Sequence, residues 1–246
     1  RATPPRSILS GAVAAAGREG RSRESAAGEN MNSRQRATVR ALLDEYGQTF
    51  AAEAGIHIEH DTPAPLFQLL FLSMLLSAPI QSGNAMEAAT ALRKEGLTTP
   101  RKMAEASWQD RVDVITWHGY KRYDERGSTL LGQLAEQVLE RYCGDLRRLR
   151  AEAHGDVQRL EALLKEFKGI GKVGASIFLR EVQLVWPEVY PYADERVLRA
   201  AAHLELGKDP KSLAKLVPRA DFPRFVAALI RVDLAKAHDA VRHHAA

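Results

Sequence analysis

The sequence is almost without cysteine, and this absence excludes several kinds of protein. Its 246 residues contain one cysteine, Cys143, so no disulfide can form within the chain and no cluster of thiolate ligands can assemble. A small secreted fold held together by disulfides is therefore excluded. A reducing intracellular setting is expected instead.

Long hydrophobic runs are also missing from the sequence. The most apolar stretch, residues 66–80, is interrupted by Gln68, Ser73 and Ser77. It is also shorter than the roughly 20 apolar residues that a membrane-spanning helix needs. We therefore predict a buried core helix at this place and no membrane partner.

The chain has little excess charge of either sign. Its 35 Lys and Arg residues face 31 Asp and Glu, which gives a formal net charge of +4, and hydrophobic residues make up 45% of the chain. This is the balance of a folded globular protein. The small basic excess permits a polyanionic partner without requiring one, so a nucleic-acid surface would have to come from local clustering of charge.

Residues 1–30 lack a hydrophobic period. They are rich in Ala, Arg, Gly, Ser and Pro, they carry five Arg and three Glu, and they end just before Met31. We predict a disordered segment that is either non-native or the product of a misassigned start. A mitochondrial presequence is the rival interpretation, and the three glutamates count against it.

From Ser33 onward the sequence predicts an all-α fold. Apolar residues recur at three- and four-residue spacing, and no segment alternates convincingly as a strand does. The segments 55–65 and 185–192 contain glycine or proline and are the predicted crossings between two lobes. Helices are predicted at 34–52, 64–78, 83–95, 99–105, 108–116, 121–142, 156–166, 173–185, 194–206, 210–216 and 221–240.

The sharpest local signal is the sequence FKGIGKVGA, which follows one amphipathic helix and opens another. Gly169 and Gly171 flank Ile170 and permit a tight hairpin whose backbone amides point outward at a helix N-terminus. Such a hairpin can bind a phosphate, because unpaired N–H groups and the positive end of the helix dipole converge there. Lys168 and Lys172 would add charge beside the same phosphate. An ordinary helix–turn–helix connection with a glycine C-cap is the alternative.

A second signal, YADERVLR, contains an acid that lies 23 residues beyond Gly171. This residue, Asp194, stands where a helix should begin, so its structural role would be an N-cap worth about 1 kcal/mol. A carboxylate held at a helix N-terminus stays ionised, which is the state needed to stabilise a developing cation or to activate a water molecule. Asp194 is therefore the candidate catalytic residue.

The hairpin and the acid together resemble the endonuclease III branch of the helix-hairpin-helix DNA glycosylase superfamily. In that branch a Leu-Pro-Gly-Val-Gly-type hairpin precedes an Asp at the start of a later helix. Upstream, LFQLL at 66–70 and LLSA at 75–78 are similar to the family's first barrel helix, and ITWHGYK at 115–121 is similar to the loop before its long central helix. These pieces follow one another in the family's order over most of residues 33–205.

The resemblance implies a two-lobed all-α fold, with a six-helix barrel at 62–188 and a second helical lobe made from 31–61 and 189–246. It implies a DNA N-glycosylase of base excision repair, a monomer that binds double-stranded DNA and holds an extruded nucleotide between the lobes. The expected location is intracellular, in the cytoplasm or on the nucleoid if the protein is bacterial. A non-catalytic helix-hairpin-helix module that binds DNA structure or lesions is the alternative, and a helical protein–protein adaptor is a third hypothesis.

The chain departs from the family's pattern at the lysine that forms a Schiff base with the sugar in bifunctional members. Val173 stands at that position. Lys172 comes one residue earlier, which on a helix means a rotation of about 100°, so it should face the phosphate or solvent. We therefore expect a monofunctional glycosylase that uses water, with no efficient lyase step unless another lysine such as Lys121 reaches the cleft.

A further departure concerns the cofactor. Family members with an iron–sulfur cluster use four cysteines near the C-terminus, and this chain has none after Cys143, so we expect no cluster. His238, His243 and His244 are typical of a solvated tail more than of a metal site, so no metal is expected. The resemblance leaves room for a monovalent cation bound by the hairpin carbonyls.

The base-recognition residues also differ from the pattern. Pro79 stands where the family supplies a glutamine that fills the gap left by the flipped base, and Gln81 is the candidate substitute. Trp117, His118 and Tyr120 lie in the loop before the long central helix and are the candidates to contact the extruded base. The alternative is a core position for the two aromatic rings and a structural hydrogen bond for the histidine.

Overall fold

The computed structural model describes residues 31–117 and 124–244, and in this part of the chain all regular structure is helical. The predicted all-α class is therefore confirmed. Short 3₁₀ turns lie at Ile58–His60 and Arg219–Asp221. The helices are α1 (Ser33–Tyr46), α2 (Phe50–Glu53), α3 (Pro63–Ser77), α4 (Ser82–Lys94), α5 (Pro100–Glu105), α6 (Trp108–Trp117), α7 (Asp124–Tyr142), α8 (Leu146–Glu152), α9 (Val157–Lys165), α10 (Lys172–Val182), α11 (Glu195–His203), α12 (Pro210–Leu213), α13 (Phe222–Ala235) and α14 (His238–His244).

Short polar side chains set where several helices start. Asn32 forms a capping box at α1, Thr49 accepts a hydrogen bond in the first turn of α2, and Asp156 accepts two at α9. Such caps satisfy amides that have no partner within the helix. The prediction of a single helix at 34–52 was therefore wrong. Helix α1 ends before Gly47, and Thr49 caps a new helix.

Two other parts of the helix prediction were wrong. The helix expected at 221–240 is broken at Lys236, whose φ of 54° ends α13 in the left-handed conformation. Helix α8 was not predicted at all. It is capped by Asp145 and buries Leu146 and Leu149, but its 7 residues are too few to give a clear period in the sequence.

Helix α3 lies at the centre of the fold. Each residue from 66 to 75 is buried, which confirms the core helix that the apolar stretch predicts. The helix packs against α10 and α4 and also contacts α7 and α8. Within the ranges that the structure describes, we find no helix with the length and apolar character needed to cross a membrane.

The helices pack in two groups. In the first, α3 packs on α4 and α10, α7 packs on α5 and α6, and α9 packs on α10. In the second, α1 packs on α13 and α14, and α11 packs on α13. Helix α10 also contacts α13 and so joins the groups. The division into lobes at 62–188 stays a prediction.

Hydrogen bonds hold the segment between α10 and α11 against α10. The side-chain amide of Gln183 donates to the carbonyl of Tyr192 at 3.1 Å and accepts from the backbone N–H of the same residue at 2.9 Å. The Tyr192 hydroxyl donates to the hydroxyl of Ser176 at 3.2 Å. These contacts tie the chain just before Asp194 to helix α10, which carries the hairpin.

Candidate active site and nucleic-acid interface

The chain between α9 and α10 forms a tight hairpin. Gly169 has a φ of +87°, and a Cβ atom there would lie 2.9 Å from the Sδ atom of Met74. Ile170 is buried between the glycines and anchors the loop. Gly171 is the N-cap of α10, and no side chain of the described residues caps this helix. The first amides of α10 thus lie at an exposed edge with the geometry that suits a phosphate oxygen.

Both hairpin lysines are exposed to solvent. The backbone N–H of Lys168 donates to the Oε1 atom of Gln137 at 2.8 Å, which fastens the hairpin to α7. The Nζ atom of Lys172 lies 3.3 Å from the Oε1 atom of Glu195, with side chains 71% and 84% exposed. An ion pair this exposed contributes at most about 1 kcal/mol and is screened by salt, so a phosphate can compete for Lys172.

Asp194 is the N-cap of α11, which is the structural role that its position in the sequence indicates. Its Oδ1 atom accepts a hydrogen bond from the backbone N–H of Val197 at 3.1 Å, and its Oδ2 atom lies 3.1 Å from the Nε atom of Arg180. The Asp194 and Arg180 side chains are 16% and 9% exposed. A carboxylate offers about four lone-pair positions, so two remain for a water molecule or a sugar.

A cavity of about 290 Å³ lies where α10 and α11 face each other. It brings together the candidate acid, the first turn of the hairpin helix and residues from both groups of helices. The apolar lining residues are Phe50, Leu76, Val173, Ile177, Ile230 and Leu234, and the polar ones are Ser82, Lys172, Ser176, Arg180, Asp194, Glu195, Arg196 and Arg199.

Two ionisable groups next to each other on α10 are buried. Burial lowers the pKa of the Arg180 guanidinium, and the Asp194 carboxylate opposes that shift. Burial raises the pKa of Glu181, although this carboxylate accepts hydrogen bonds from the backbone N–H groups of Phe50 and Ala51 at 3.0 and 3.2 Å. The first group lines the cavity, and the second fastens α2 to the same helix.

The predicted base-contacting residues are only partly described. Gln81 is the exposed N-cap residue of α4 and is next to Ser82, which lines the cavity. Its role as a wedge stays a prediction. The side chain of Trp117 and all of His118 and Tyr120 lie outside the described residues, as does Lys121.

Val173, the residue that follows Lys172, is 56% exposed and lines the cavity. Two other lining residues, Arg180 and Arg199, were missed by sequence reasoning. The signal for Arg180 was a charged residue within the apolar sequence SIFLREV, since charged side chains are seldom buried without a partner. The other arginine carries no such signal, because it lies on an ordinary amphipathic helix.

Elsewhere in the described ranges, His57, Glu59 and His60 place possible ligand atoms within 4.8 Å of one another. All three are exposed, and the Nδ1 atom of His57 lies 2.8 Å from the Oε1 atom of Glu59. This hydrogen bond accounts for the proximity of His57 and Glu59 without an ion. None of the three lines the cavity beside Asp194.

Comparison with known proteins gives a structural similarity. The chain is similar to endonuclease III in a structure of a trapped covalent intermediate with DNA, an estranged-adenine complex. The two share 17% sequence identity, the alignment covers 82% of this chain and 86% of that one, and the TM-score is 0.48. No protein-family model and no curated protein sequence matches the chain.

Proposed function

We propose that the protein is a DNA N-glycosylase that removes a damaged or inappropriate base from double-stranded DNA, with Asp194 as the catalytic residue and water as the nucleophile. One observation carries the proposal. The Asp194 carboxylate lines the same cavity as Lys172 and Val173, the first turn of the hairpin helix. A nucleotide whose phosphate lay on the hairpin would therefore have its sugar beside the carboxylate.

In the proposed reaction the N-glycosidic bond breaks, its electron pair leaves with the base, and the sugar gains oxocarbenium character. The carboxylate of Asp194 stabilises that cation and accepts a proton from the attacking water. The resulting hydroxyl adds to C1′ and leaves an abasic site, while the departed base takes up a proton. The hairpin, residues 168–172, would hold the phosphate.

We infer that the reaction is monofunctional. Val173 has no amine, and the Nζ atom of Lys172 is paired with Glu195 at the rim of the cavity. No iron–sulfur cluster enters the proposal, since the sequence has one cysteine. A monovalent cation on the hairpin carbonyls, a monomeric state and an intracellular location remain part of the proposal.

A second function is favoured by the contacts of the acid itself. Both oxygens of Asp194 already have partners, namely the N–H of Val197 and the guanidinium of Arg180. These partners are sufficient for a residue that only caps a helix. A non-catalytic module that binds DNA structure or lesions would use the same hairpin and release no base.

The substitution Asp194→Asn tests the two functions against each other. It keeps the shape of the side chain and an oxygen for the cap, but it removes the negative charge. On duplexes that each carry one lesion class, the wild type should yield alkali-labile abasic sites and no borohydride-trapped adduct. The variant should bind with the same Kd and release the base at least 10²-fold more slowly, the usual contribution of a general base.

Other results would point elsewhere. Equal rates of base release in the two proteins would remove Asp194 from the mechanism. Salt-dependent DNA binding without release of any base by the wild type would favour the non-catalytic module. A protein without any salt-dependent affinity for DNA would fit only the adaptor hypothesis.

A further inference from the structure

The acids of the cavity beside Asp194 are already neutralised by the protein's own cations. The Oδ2 atom of Asp194 lies 3.1 Å from the Nε atom of Arg180. The Oε1 atom of Glu195 lies 3.3 Å from the Nζ atom of Lys172. In the protein without DNA, a positively charged ligand entering the cavity would therefore meet no unpaired carboxylate among the described lining residues.

The cations of the cavity, by contrast, are in excess. Arg196 is paired outside the lining, where its Nε atom lies 2.7 Å from the Oδ2 atom of Asp233. Arg199 is exposed and forms no ion pair with any residue of 31–117 or 124–244. With the other charges paired, this guanidinium leaves the described lining with a net positive charge.

Arg180 also has hydrogen-bonding capacity to spare. Its side chain is more than nine-tenths buried, and its Nε atom lies 3.1 Å from the Oδ2 atom of Asp194 without an aligned hydrogen bond to a described residue. A guanidinium has five N–H donors, and buried donors are nearly always satisfied. Since Arg180 lines the cavity, a ligand that brings acceptor atoms would satisfy them.

The cavity also has few groups other than carboxylates that could bind a cationic base. Among the described lining residues Phe50 is the one aromatic ring, and an aromatic face is the other favourable partner for a cation. One face of that ring is already covered, because the guanidinium of Arg231 lies 4.3 Å from its centroid.

The charge of the bound base determines the charge of the leaving group when the glycosidic bond breaks. A neutral base takes the electron pair of the N–C1′ bond and departs as an anion until it is protonated. A base that already carries a positive charge, such as an N-alkylated purine, takes the same electron pair and departs neutral. Fixed cations beside the base stabilise a neutral base as it leaves as an anion. The same cations oppose the binding of a base that is already positively charged.

We propose that the cavity selects uncharged bases with carbonyl acceptors, whose departure as anions is stabilised by Arg180 and Arg199, and disfavours cationic bases. This inference rests on the proposed glycosylase function. Arg180 would act in two ways, holding the Asp194 carboxylate with one nitrogen and presenting its remaining donors to the base.

The test compares duplexes that differ only in the target base: uracil and hypoxanthine, which are neutral, and 7-methylguanine and 3-methyladenine, which are cationic. Single-turnover release is divided by the spontaneous rate for each base, since cationic bases leave faster unaided. We expect the enhancement by the wild type to be at least tenfold larger for the neutral bases. Arg180→Gln should reduce the enhancement for neutral bases by about 10²-fold, as the loss of one donor to a developing anion does.

Arg199→Gln and Arg180→Lys serve as further variants. Arg199 is exposed, so its substitution should leave the thermal unfolding midpoint unchanged while it lowers the enhancement for neutral bases alone. The lysine variant keeps the charge and should retain part of the activity that Arg180→Gln loses. For Arg199→Gln, the enhancement for cationic bases should stay the same or rise. Arg180→Gln also removes the partner of Asp194, so its enhancement for cationic bases should fall, but by less than that for neutral bases.

An equal or larger enhancement for cationic bases in the wild type would overturn the inference. A parallel loss on both classes of base in Arg199→Gln would overturn it as well. In either case, release of bases that disappears in Asp194→Asn would leave the glycosylase function standing. No release of any base by the wild type would overturn the proposed function itself, and the inference with it.

Discussion

Gly169 and Gly171 lie two residues apart in the hairpin and meet different surroundings. The first has a φ of +87°, and a side chain there would contact Met74 at 2.9 Å and Leu130 at 3.3 Å. The second has an ordinary φ of −93° and nothing within 4 Å of an added Cβ. The first glycine is therefore needed by the fold, whereas the second leaves open space for a ligand.

Alanine substitutions should separate these two roles. Gly169→Ala should lower the free energy of unfolding by about 1–3 kcal/mol, because it combines a strained backbone with a close contact. Gly171→Ala should leave it nearly unchanged and weaken DNA binding instead, because its methyl group would occupy the approach of the phosphate. Urea unfolding and a DNA titration measure the two effects. Equal stability of the two variants would contradict this account of the hairpin.

At the scale of single residues, the sequence predicts what depends on neighbours along the chain. The glycine hairpin and the N-cap position of Asp194 are local features, so both can be recognised from the sequence. The pairing of Asp194 with Arg180 is not, because it depends on how α11 lies against α10. A contact between two residues that lie 14 positions apart, one in a helix and one at the start of the next, leaves no periodic signal.

At the scale of elements, helix α10 organises the site. Its first turn belongs to the hairpin, Arg180 lines the cavity, and Glu181 accepts hydrogen bonds from the first amides of α2. The Glu181 side chain thus serves as a hydrogen-bond acceptor for the N-terminus of a helix far away in sequence. This contact explains why the prediction of one helix over 34–52 was wrong. The break after α1 lets the first amides of α2 point at Glu181 on α10.

Glu181 should make the stability of the fold depend on pH. Burial raises its pKa in the folded protein above the ordinary glutamate value of 4.5, so the folded state binds the proton more tightly than the unfolded chain does. The favourable contribution is fully present below about pH 4.5 and is lost as the pH rises through the folded pKa. The wild type should therefore lose free energy of unfolding over that interval relative to Glu181→Gln.

Urea unfolding of both proteins at a series of pH values measures this difference. The other titrating groups are common to the two proteins and cancel in the comparison. Curves that stay parallel over the whole range would show that Glu181 has the same pKa in the folded and unfolded states, contrary to its burial.

At the scale of the whole molecule, two groups of helices meet at the cavity, and the hairpin lies at its edge. The all-α class and the order of the motifs could be predicted from the sequence, because both follow from patterns along the chain. The charge of the cavity could not, since its lining comes from α2, α3, α4, α10, α11 and α13. The net charge of +4 does not predict that three arginines line one cavity.

The salt dependence of DNA binding should locate the interface on the hairpin. Replacing Lys168 and Lys172 with Gln removes two phosphate contacts, so the slope of log Kd against log salt should fall by about 2. Lys94→Gln is the matched control. This exposed lysine ends α4, about 18 Å along the helix from the end that borders the cavity, and its loss should leave the slope unchanged. An unchanged slope in the double variant would move the interface away from the hairpin.

The central claim is that the carboxylate at position 194 performs chemistry on a nucleotide held by the hairpin. The most direct measurement is the single-turnover rate of abasic-site formation by the wild type and by Asp194→Asn, with each protein in excess over the duplex so that all of the DNA is bound. The account predicts a rate at least about 10²-fold lower for the variant at equal occupancy. Identical rates for the two proteins would contradict it.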